Sequence, residues 1–324
     1  MIWIYFIAVV AVIIFSGFKL SELAEKLAEL LNISSSAIGL LLVSIVTSLP
    51  ELSTSLSAAV KVGQPNLAVG NTMGSDMLNL MIIAFCDLLF RKRGVLRNSD
   101  RSRIAQPLYY LLITSAMLIS LYLPNSISLW GAHFNAGSLA VVGLYLFIFF
   151  RTHHTGQKIP DDLAPPPDLS VLKKTILKFT LASVCIVLAG LWLAKLGDQI
   201  AEQTGLEQSF VGTLFLAFAT SLPELTVCIS ALRIGAVDLM LGNIFGSNMF
   251  NVFITAVTDL TYRKEAFHIP DNISHGMLSI GAASIAITLI SILAMRQKKL
   301  ARWVAWESIV VISAYLLALY TLYS

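Results

Sequence analysis

Charged residues are scarce in this chain: Asp, Glu, Lys and Arg make up 13% of it, hydrophobic residues make up 56%, and the mean hydropathy is +0.79. That shortage excludes an ordinary soluble domain and reads as a polytopic membrane protein. From Ile104 to Phe150 there is no Asp, Glu, Lys or Arg at all, which leaves room for two spans joined near Pro124 and Asn125. Cysteine is equally sparse. Cys86, Cys185 and Cys228 lie singly in apolar stretches, which argues against a disulfide or thiolate-metal framework and for buried thiols. The start, Met1-Ile2-Trp3, lacks a basic segment and a small-residue cleavage site, so it reads as a first span and not as a signal peptide. The net charge of +3 implies little about partners, and neither a nucleic acid nor a resident cofactor is expected.

Apolar runs of about 20 residues place spans near 2–30, 36–62, 66–89, 104–122, 128–150, 176–203, 209–232, 237–260, 273–295 and 302–323. The expected fold class is therefore all-α, with ten transmembrane helices. The first span ends in an amphipathic stretch, Ser21 to Leu31, with Glu22, Glu25, Lys26 and Glu29 on its polar side. One clear linker runs from Arg151 to Lys174, where Pro160, Asp161, Asp162 and Pro165-Pro166-Pro167 predict an extended segment. It divides the chain into a first repeat at 1–150, a cytoplasmic linker at 151–175 and a second repeat at 176–324.

The halves align. Gly17 matches Gly190, Ala28 matches Ala201, Gly39 matches Gly212 and Glu51 matches Glu224, each 173 residues apart; from Gly70 and Gly242 onward the offset is 172. Five spans per half is an odd number, so the second half enters the membrane from the opposite side, the inverted-topology arrangement of secondary transporters. Lys and Arg cluster in the loop holding Arg91 to Arg103, in the central linker and in the loop holding Arg296 to Arg302, whereas the other side offers Lys61, Arg263 and Lys264. By the positive-inside rule both termini are expected outside the cell membrane.

Two polar motifs interrupt the apolar spans. Ser44-Ile45-Val46-Thr47-Ser48-Leu49-Pro50-Glu51 and Ala217-Phe218-Ala219-Thr220-Ser221-Leu222-Pro223-Glu224 share the core Thr-Ser-Leu-Pro-Glu-Leu. A carboxylate at membrane depth is costly, roughly 2.5–3.5 kcal/mol on insertion scales, and normally faces an ion or substrate path. Each proline lacks an N–H, so carbonyls of the turn before it are expected to be freed as ligands. Gly70-Asn71-Thr72-Met73-Gly74-Ser75-Asp76-Met77-Leu78-Asn79 recurs as Gly242-Asn243-Ile244-Phe245-Gly246-Ser247-Asn248-Met249-Phe250-Asn251. Its Gly-x-x-x-Gly spacing allows close helix approach, which alone signals packing. Ser75 with Asn79, and Ser247 with Asn251, are i,i+4 pairs that present oxygens on one face. Asn71 and Asn243 are expected to bond to neighbouring backbone. The polar set contains oxygens and no His or Cys, which suits hard cations such as Ca²⁺ or Na⁺ and not zinc, copper or iron. Two glutamates balance one divalent charge.

On these motifs the chain resembles the sodium/calcium exchanger branch of the cation/Ca²⁺ antiporter superfamily, whose inverted repeats carry Thr-Ser-Leu-Pro-Glu and Gly-Asn-x-x-Gly-Ser-Asn elements. The resemblance covers both halves. It implies Ca²⁺ and Na⁺ as transported ions in a lipid bilayer, a fold of ten helices, and alternating access. By motif position it implies ligands at Thr47, Ser48, Glu51, Ser75, Asn79, Thr220, Ser221, Glu224, Ser247 and Asn251, with backbone carbonyls at Ser44 and Ala217. The chain departs from that pattern twice: Asn251 stands where the branch commonly has Asp, and Asp76 stands where Asn often follows Gly-Ser. With two site carboxylates, one Ca²⁺, two Na⁺ or two H⁺ would each balance the charge, so proton-coupled exchange is the alternative.

The remaining charges have structural readings. Asp87 with Arg91 and Asp259 with Arg263 are expected as i,i+4 ion pairs. Asn66 and Asp238 are expected as helix N-caps, and His153 and His154 as solvated linker residues. A channel would share the oxygen ligands but needs a continuous pore. An intramembrane hydrolase would need a His or Lys base near the serines, and none lies there.

Overall fold

A segment crossing lipid must satisfy its own backbone, which an apolar run of this length does as a helix. The computed structural model describes residues 1–90, 104–123, 126–129, 132–156, 168–204, 220–262, 264–269, 273, 275–296, 308–313 and 315–316. Its helices are α1 (Ile2–Leu30), α2 (Ser35–Thr47), α3 (Leu49–Val62), α4 (Pro65–Leu89), α5 (Ala105–Tyr122), α6 (Ala136–Thr155), α7 (Leu169–Thr204), α8 (Leu222–Ile234), α9 (Val237–Tyr262) and α10 (His275–Arg296). Between α5 and α6 lies a hairpin of β1 (Ser126–Leu129) and β2 (Ala132–Asn135), antiparallel with Ile127 opposite Phe134. Among the described residues six helices, α1, α4, α5, α6, α7 and α9, are long and apolar enough to cross a membrane, and the bent pair α2 and α3 makes a seventh when counted as one span. The expected spans at 209–232 and 302–323 fall partly outside the described residues.

Contacts divide the chain into two compact units, Met1–Pro50 with Phe149–Ser247, and Glu51–Ile148 with Asn248–Ser324. Each draws on both halves of the sequence. In the first unit α1 packs against α7 and α8. Its buried side carries Ile13, Leu20, Ala24, Leu27 and Ala28, while Ile4, Ile7 and Phe15 are exposed, as a lipid-facing stripe would be. Contact with α8 is close: Ser21 Oγ donates to the Val227 carbonyl at 3.2 Å, and a Cβ on Gly17 would lie 2.7 Å from Thr226 Cγ2. The second copy of the Gly-x-x-x-Gly element packs closely, Gly242 against the Ser36 carbonyl and Gly246 with an added Cβ 2.6 Å from Ser44 Oγ, whereas a Cβ on Gly74 of the first copy would meet nothing within 4 Å.

Helix α7 begins earlier than the linker reading allows. Asp168 accepts from the Ser170 N–H at 2.8 Å and the Ser170 hydroxyl at 2.7 Å, capping the helix. Those bonds hold its carboxyl below the usual aspartate range, the Ser170 hydroxyl contributing most. The segment from Leu169 to Lys174, with Lys173 and Lys174, is thus helix instead of extended chain.

In the second unit α10 packs on α4 and α5, and the end of α3 packs on α4. Gly63 at φ +77° ends α3; in the first unit its repeat mate, Gly235 at φ +86°, ends α8, so both glycines terminate a helix in the left-handed conformation that glycine tolerates. The hairpin replaces the helix expected from residue 128. Asn135 fixes its end: the side chain accepts the Gly137 N–H at 2.9 Å, capping α6, and donates to the carbonyls of Ser120 at 2.7 Å and Phe267 at 3.1 Å. Asp259 is buried and accepts the N–H groups of Asn135 at 2.8 Å and Phe267 at 2.7 Å. It is therefore a clamp on two connecting segments, buried and not at the surface as expected; its expected partner Arg263 lies outside the described residues, as does Arg91, the expected partner of Asp87. Asp87 accepts from the Ser308 hydroxyl at 2.9 Å.

Other expectations change as well. Pro65 occupies the first turn of α4 behind Gln64 at the cap, which puts Asn66 inside the helix, and Asp238 likewise sits in the first turn of α9. A carboxylate there still complements the helix dipole. Cys86 and Cys228 are buried, but Cys185 is exposed on α7.

Candidate functional site

The two glutamates sit in matching local structures. Helix α2 ends at Thr47, Ser48 leaves helical geometry at φ −95° and ψ 9°, and α3 restarts at Leu49 with a bend of 44°. In the second repeat Ser221 takes φ −90° and ψ 7° before α8. Pro50 and Pro223 each stand in the first turn of the helix that follows, where a missing N–H is harmless. Glu51 and Glu224 then fall in the first turn of α3 and α8, where the N-terminal end of the helix dipole favours negative charge. Both are 1% exposed.

In the first unit Glu224 gathers hydroxyls. Ser48 Oγ donates to Glu224 Oε1 at 3.1 Å. Thr47 Oγ1 lies 3.3 Å from Ser247 Oγ and 3.4 Å from Asn243 Oδ1. The expected free carbonyl at Ser44 is occupied: it accepts from the Ser48 N–H at 3.1 Å, Thr47 Oγ1 at 3.2 Å and Ser247 Oγ at 3.5 Å. Asn243 bonds to side chains, not backbone, with its amide directed at Cys228 Sγ 3.7 Å away. Thr220 and Ser221 are buried nearby in sequence, and Ala217 lies outside the described residues. Glu224 Oε2 and Ser221 Oγ are buried and have no hydrogen-bond partner.

In the second unit Glu51 belongs with α4. Asn71 Nδ2 donates to the Glu51 carbonyl at 3.4 Å, Thr54 Oγ1 at 3.2 Å and Ser55 Oγ at 2.9 Å, tying α3 to α4. Further along, Asn79 Nδ2 donates to Asn248 Oδ1 at 2.9 Å, Asn248 Nδ2 to the Asp76 carbonyl at 3.2 Å, and Asn251 Nδ2 to Asp76 Oδ1 at 3.0 Å. Asn79 and Asn251 donate through their amide nitrogens, and their own oxygens stay unbonded, whereas Asn248 Oδ1 accepts from Asn79. Ser75 Oγ, Asn79 Oδ1 and Asn251 Oδ1 are buried without a partner.

A buried polar atom left unbonded costs about 1–3 kcal/mol. Five such atoms among the motif residues are all oxygens, which is the donor chemistry of a hard cation. Among the described residues no group of three or more His, Cys, Asp or Glu is placed to hold a metal ion.

The family model described as sodium/calcium exchanger protein matches residues 1–152 and 174–324. The chain belongs to the sodium/calcium exchanger family. Among relatives of this exchanger, the putative antiporter CaxA of Alkalimonas amylolytica is 31% identical over 71% of this chain and 70% of its own length. The sodium/calcium exchanger MaX1 of Methanosarcina acetivorans is 26% identical over 71% of this chain and 74% of its own. In fold, the exchanger is similar to the sodium-calcium exchanger NCX_Mj soaked with 10 mM Na⁺ and no Ca²⁺, at a TM-score of 0.77 and 20% identity over 99% of both chains. The chain is thus an integral membrane antiporter of this family and not an enzyme.

Sequence reasoning missed the Asn248 bridge and the pairing of Asp76 with Asn251. The signal was present: the two departures from the family motif are the two ends of one hydrogen bond.

Proposed function

We propose that this exchanger moves Ca²⁺ against Na⁺ across the cell membrane by alternating access, with both termini external and ten spans arranged as two inverted five-helix repeats. The side chains of Thr47, Ser48, Glu51, Ser75, Asn79, Thr220, Ser221, Glu224, Ser247 and Asn251 serve the transported ions, as does the carbonyl of Ala217, while the Ser44 carbonyl holds the Thr47 and Ser247 hydroxyls in place. One observation carries this reading: in both halves a helix starts at a Leu-Pro-Glu step behind a Ser with nearly the same backbone angles, which places a buried glutamate in its first turn. Broken helices with free dipole ends are a device of secondary transporters. Two carboxylates match one divalent ion, and all-oxygen surroundings match Ca²⁺ and Na⁺.

Proton coupling is the second reading, because Glu51 and Glu224 are themselves titratable and could release Ca²⁺ by taking up two protons. The test of transport is uptake of labelled Ca²⁺ into vesicles holding the purified protein, with and without an opposing Na⁺ gradient. Uphill uptake that follows the imposed gradient supports exchange. Uptake that only runs down the Ca²⁺ gradient, whatever the Na⁺ arrangement, supports a channel.

A further inference from the structure

Asn243 is fully buried on α9 and lies outside the proposed ligands, yet both ends of its amide are engaged. Its Nδ2 points at Cys228 Sγ, 3.7 Å away on α8, and its Oδ1 accepts from the Thr47 hydroxyl at 3.4 Å. The first repeat holds the same clasp. Asn71, the mate of Asn243, donates through Nδ2 to Ser55 Oγ at 2.9 Å, and Ser55 and Cys228 each stand four residues after their glutamate. Asn71 Nδ2 also donates to the Glu51 carbonyl at 3.4 Å, and a carbonyl can only accept. That contact fixes which end of the Asn71 amide is nitrogen. The same clasp in the second repeat turns the Asn243 nitrogen to Cys228 and its oxygen to Thr47.

A hydroxyl that is to hold a cation must offer it a lone pair and send its single proton elsewhere. Thr47 and Ser247 bring two such protons. The Ser44 carbonyl lies 3.2 Å from Thr47 Oγ1 and 3.5 Å from Ser247 Oγ, but of its two lone pairs one is taken by the Ser48 N–H at 3.1 Å. One place is left there for two protons. Without a further acceptor the second proton falls on the other hydroxyl, 3.3 Å away, or on the Glu224 carboxyl group, and either bond occupies a lone pair that the ion needs. Asn243 Oδ1 is that further acceptor.

We propose that Asn243 is a positioning residue of the ion site: pinned at Cys228, it takes the Thr47 proton and so leaves the Thr47, Ser247 and Glu224 oxygens open to a cation. This role rests on the ligand function proposed for Thr47. It is indifferent to whether Na⁺ or H⁺ drives exchange.

The test is a double-mutant cycle on equilibrium Ca²⁺ binding to the purified protein, by titration calorimetry, with Thr47→Val, Asn243→Leu and the two combined. Asn243→Leu should weaken binding about tenfold, the worth of one hydrogen bond. It should weaken binding no further once Thr47 is Val, because the Ser44 carbonyl then has one hydroxyl proton left to hold. Cys228→Ala, which unpins the amide, should also weaken binding several-fold, whereas Cys228→Ser keeps an acceptor, as Ser55 does in the first repeat, and should bind like wild type. That second pair carries the test if Asn243→Leu does not fold. Losses that add in the double variant, or Cys228→Ala and Cys228→Ser that behave alike, reduce Asn243 to packing and overturn the proposal. Failure of the underlying reading looks different: Thr47→Val that binds Ca²⁺ as tightly as wild type removes Thr47 from the ligands and the positioning role with it.

Discussion

Asn251 donates its side-chain amide to the carboxylate of Asp76 at 3.0 Å, so a carboxylate and an amide face each other from α9 and α4. The pair predicts a swap. Asn251→Asp alone would set two carboxylates against each other, a repulsion of about 4 kcal/mol at about 4 Å and an effective dielectric constant of about 20. Thermal unfolding in detergent should show a large fall in midpoint for that variant. The double exchange Asp76→Asn with Asn251→Asp should recover most of the loss. Equal midpoints for the single and double variants would break the link between the two positions.

Glu224→Gln keeps an oxygen that can accept from Ser48 Oγ, so the protein should fold and retain its unfolding midpoint within a few degrees. Ca²⁺ binding should fall steeply. Removing one partner of a buried ionic arrangement costs about 3–5 kcal/mol, or roughly two to nearly four powers of ten in affinity. Glu51→Gln should behave alike. Wild-type Ca²⁺ affinity in either variant, measured by titration calorimetry, removes that glutamate from the ligand set.

Asp259→Ala leaves two buried N–H groups, those of Asn135 and Phe267, without their acceptor. At about 1–3 kcal/mol each the clamp on the hairpin should open before the rest of the unit. Hydrogen exchange followed by mass spectrometry should report faster exchange at 132–137 and 264–269. Protection unchanged from wild type at those residues would assign the hairpin's order to something else.

The clustering of Lys and Arg predicts that the segment Arg91 to Arg103 faces the cytoplasm. A cysteine engineered at Asn98 should resist an impermeant thiol reagent in intact cells and react after permeabilisation. Labelling in intact cells reverses the orientation.

Much of this was readable before any coordinates. Pro50 announces the break at Ser48 and Pro223 the start of α8, because a missing N–H acts locally, and Glu51 and Glu224 stand out because charge in an apolar run is costly wherever the chain goes. What stayed hidden depends on partners far apart in sequence. That Asp259 is buried and accepts the Asn135 N–H depends on a residue 124 positions away. The hairpin was lost because Ile104 to Phe150 lacks charge, and hydropathy averages over the alternation of Ser126-Ile127-Ser128-Leu129. The occupied Ser44 carbonyl is mostly a local matter, taken by the Ser48 N–H and the Thr47 hydroxyl, with Ser247 from 203 residues away as the third and longest contact. The early start of α7 was legible and passed over: Asp168 followed by Ser170 is a capping signal, outweighed by the prolines before it.

Ca²⁺ flux through the purified protein in sealed vesicles tests the central claim most directly, with the Na⁺ gradient and the pH gradient imposed in separate arms. Sodium-coupled exchange predicts uphill Ca²⁺ movement driven by the Na⁺ gradient at equal pH on both sides, abolished by Glu224→Gln. Uphill movement driven by the pH gradient in Na⁺-free buffer, indifferent to an imposed Na⁺ gradient, would contradict it.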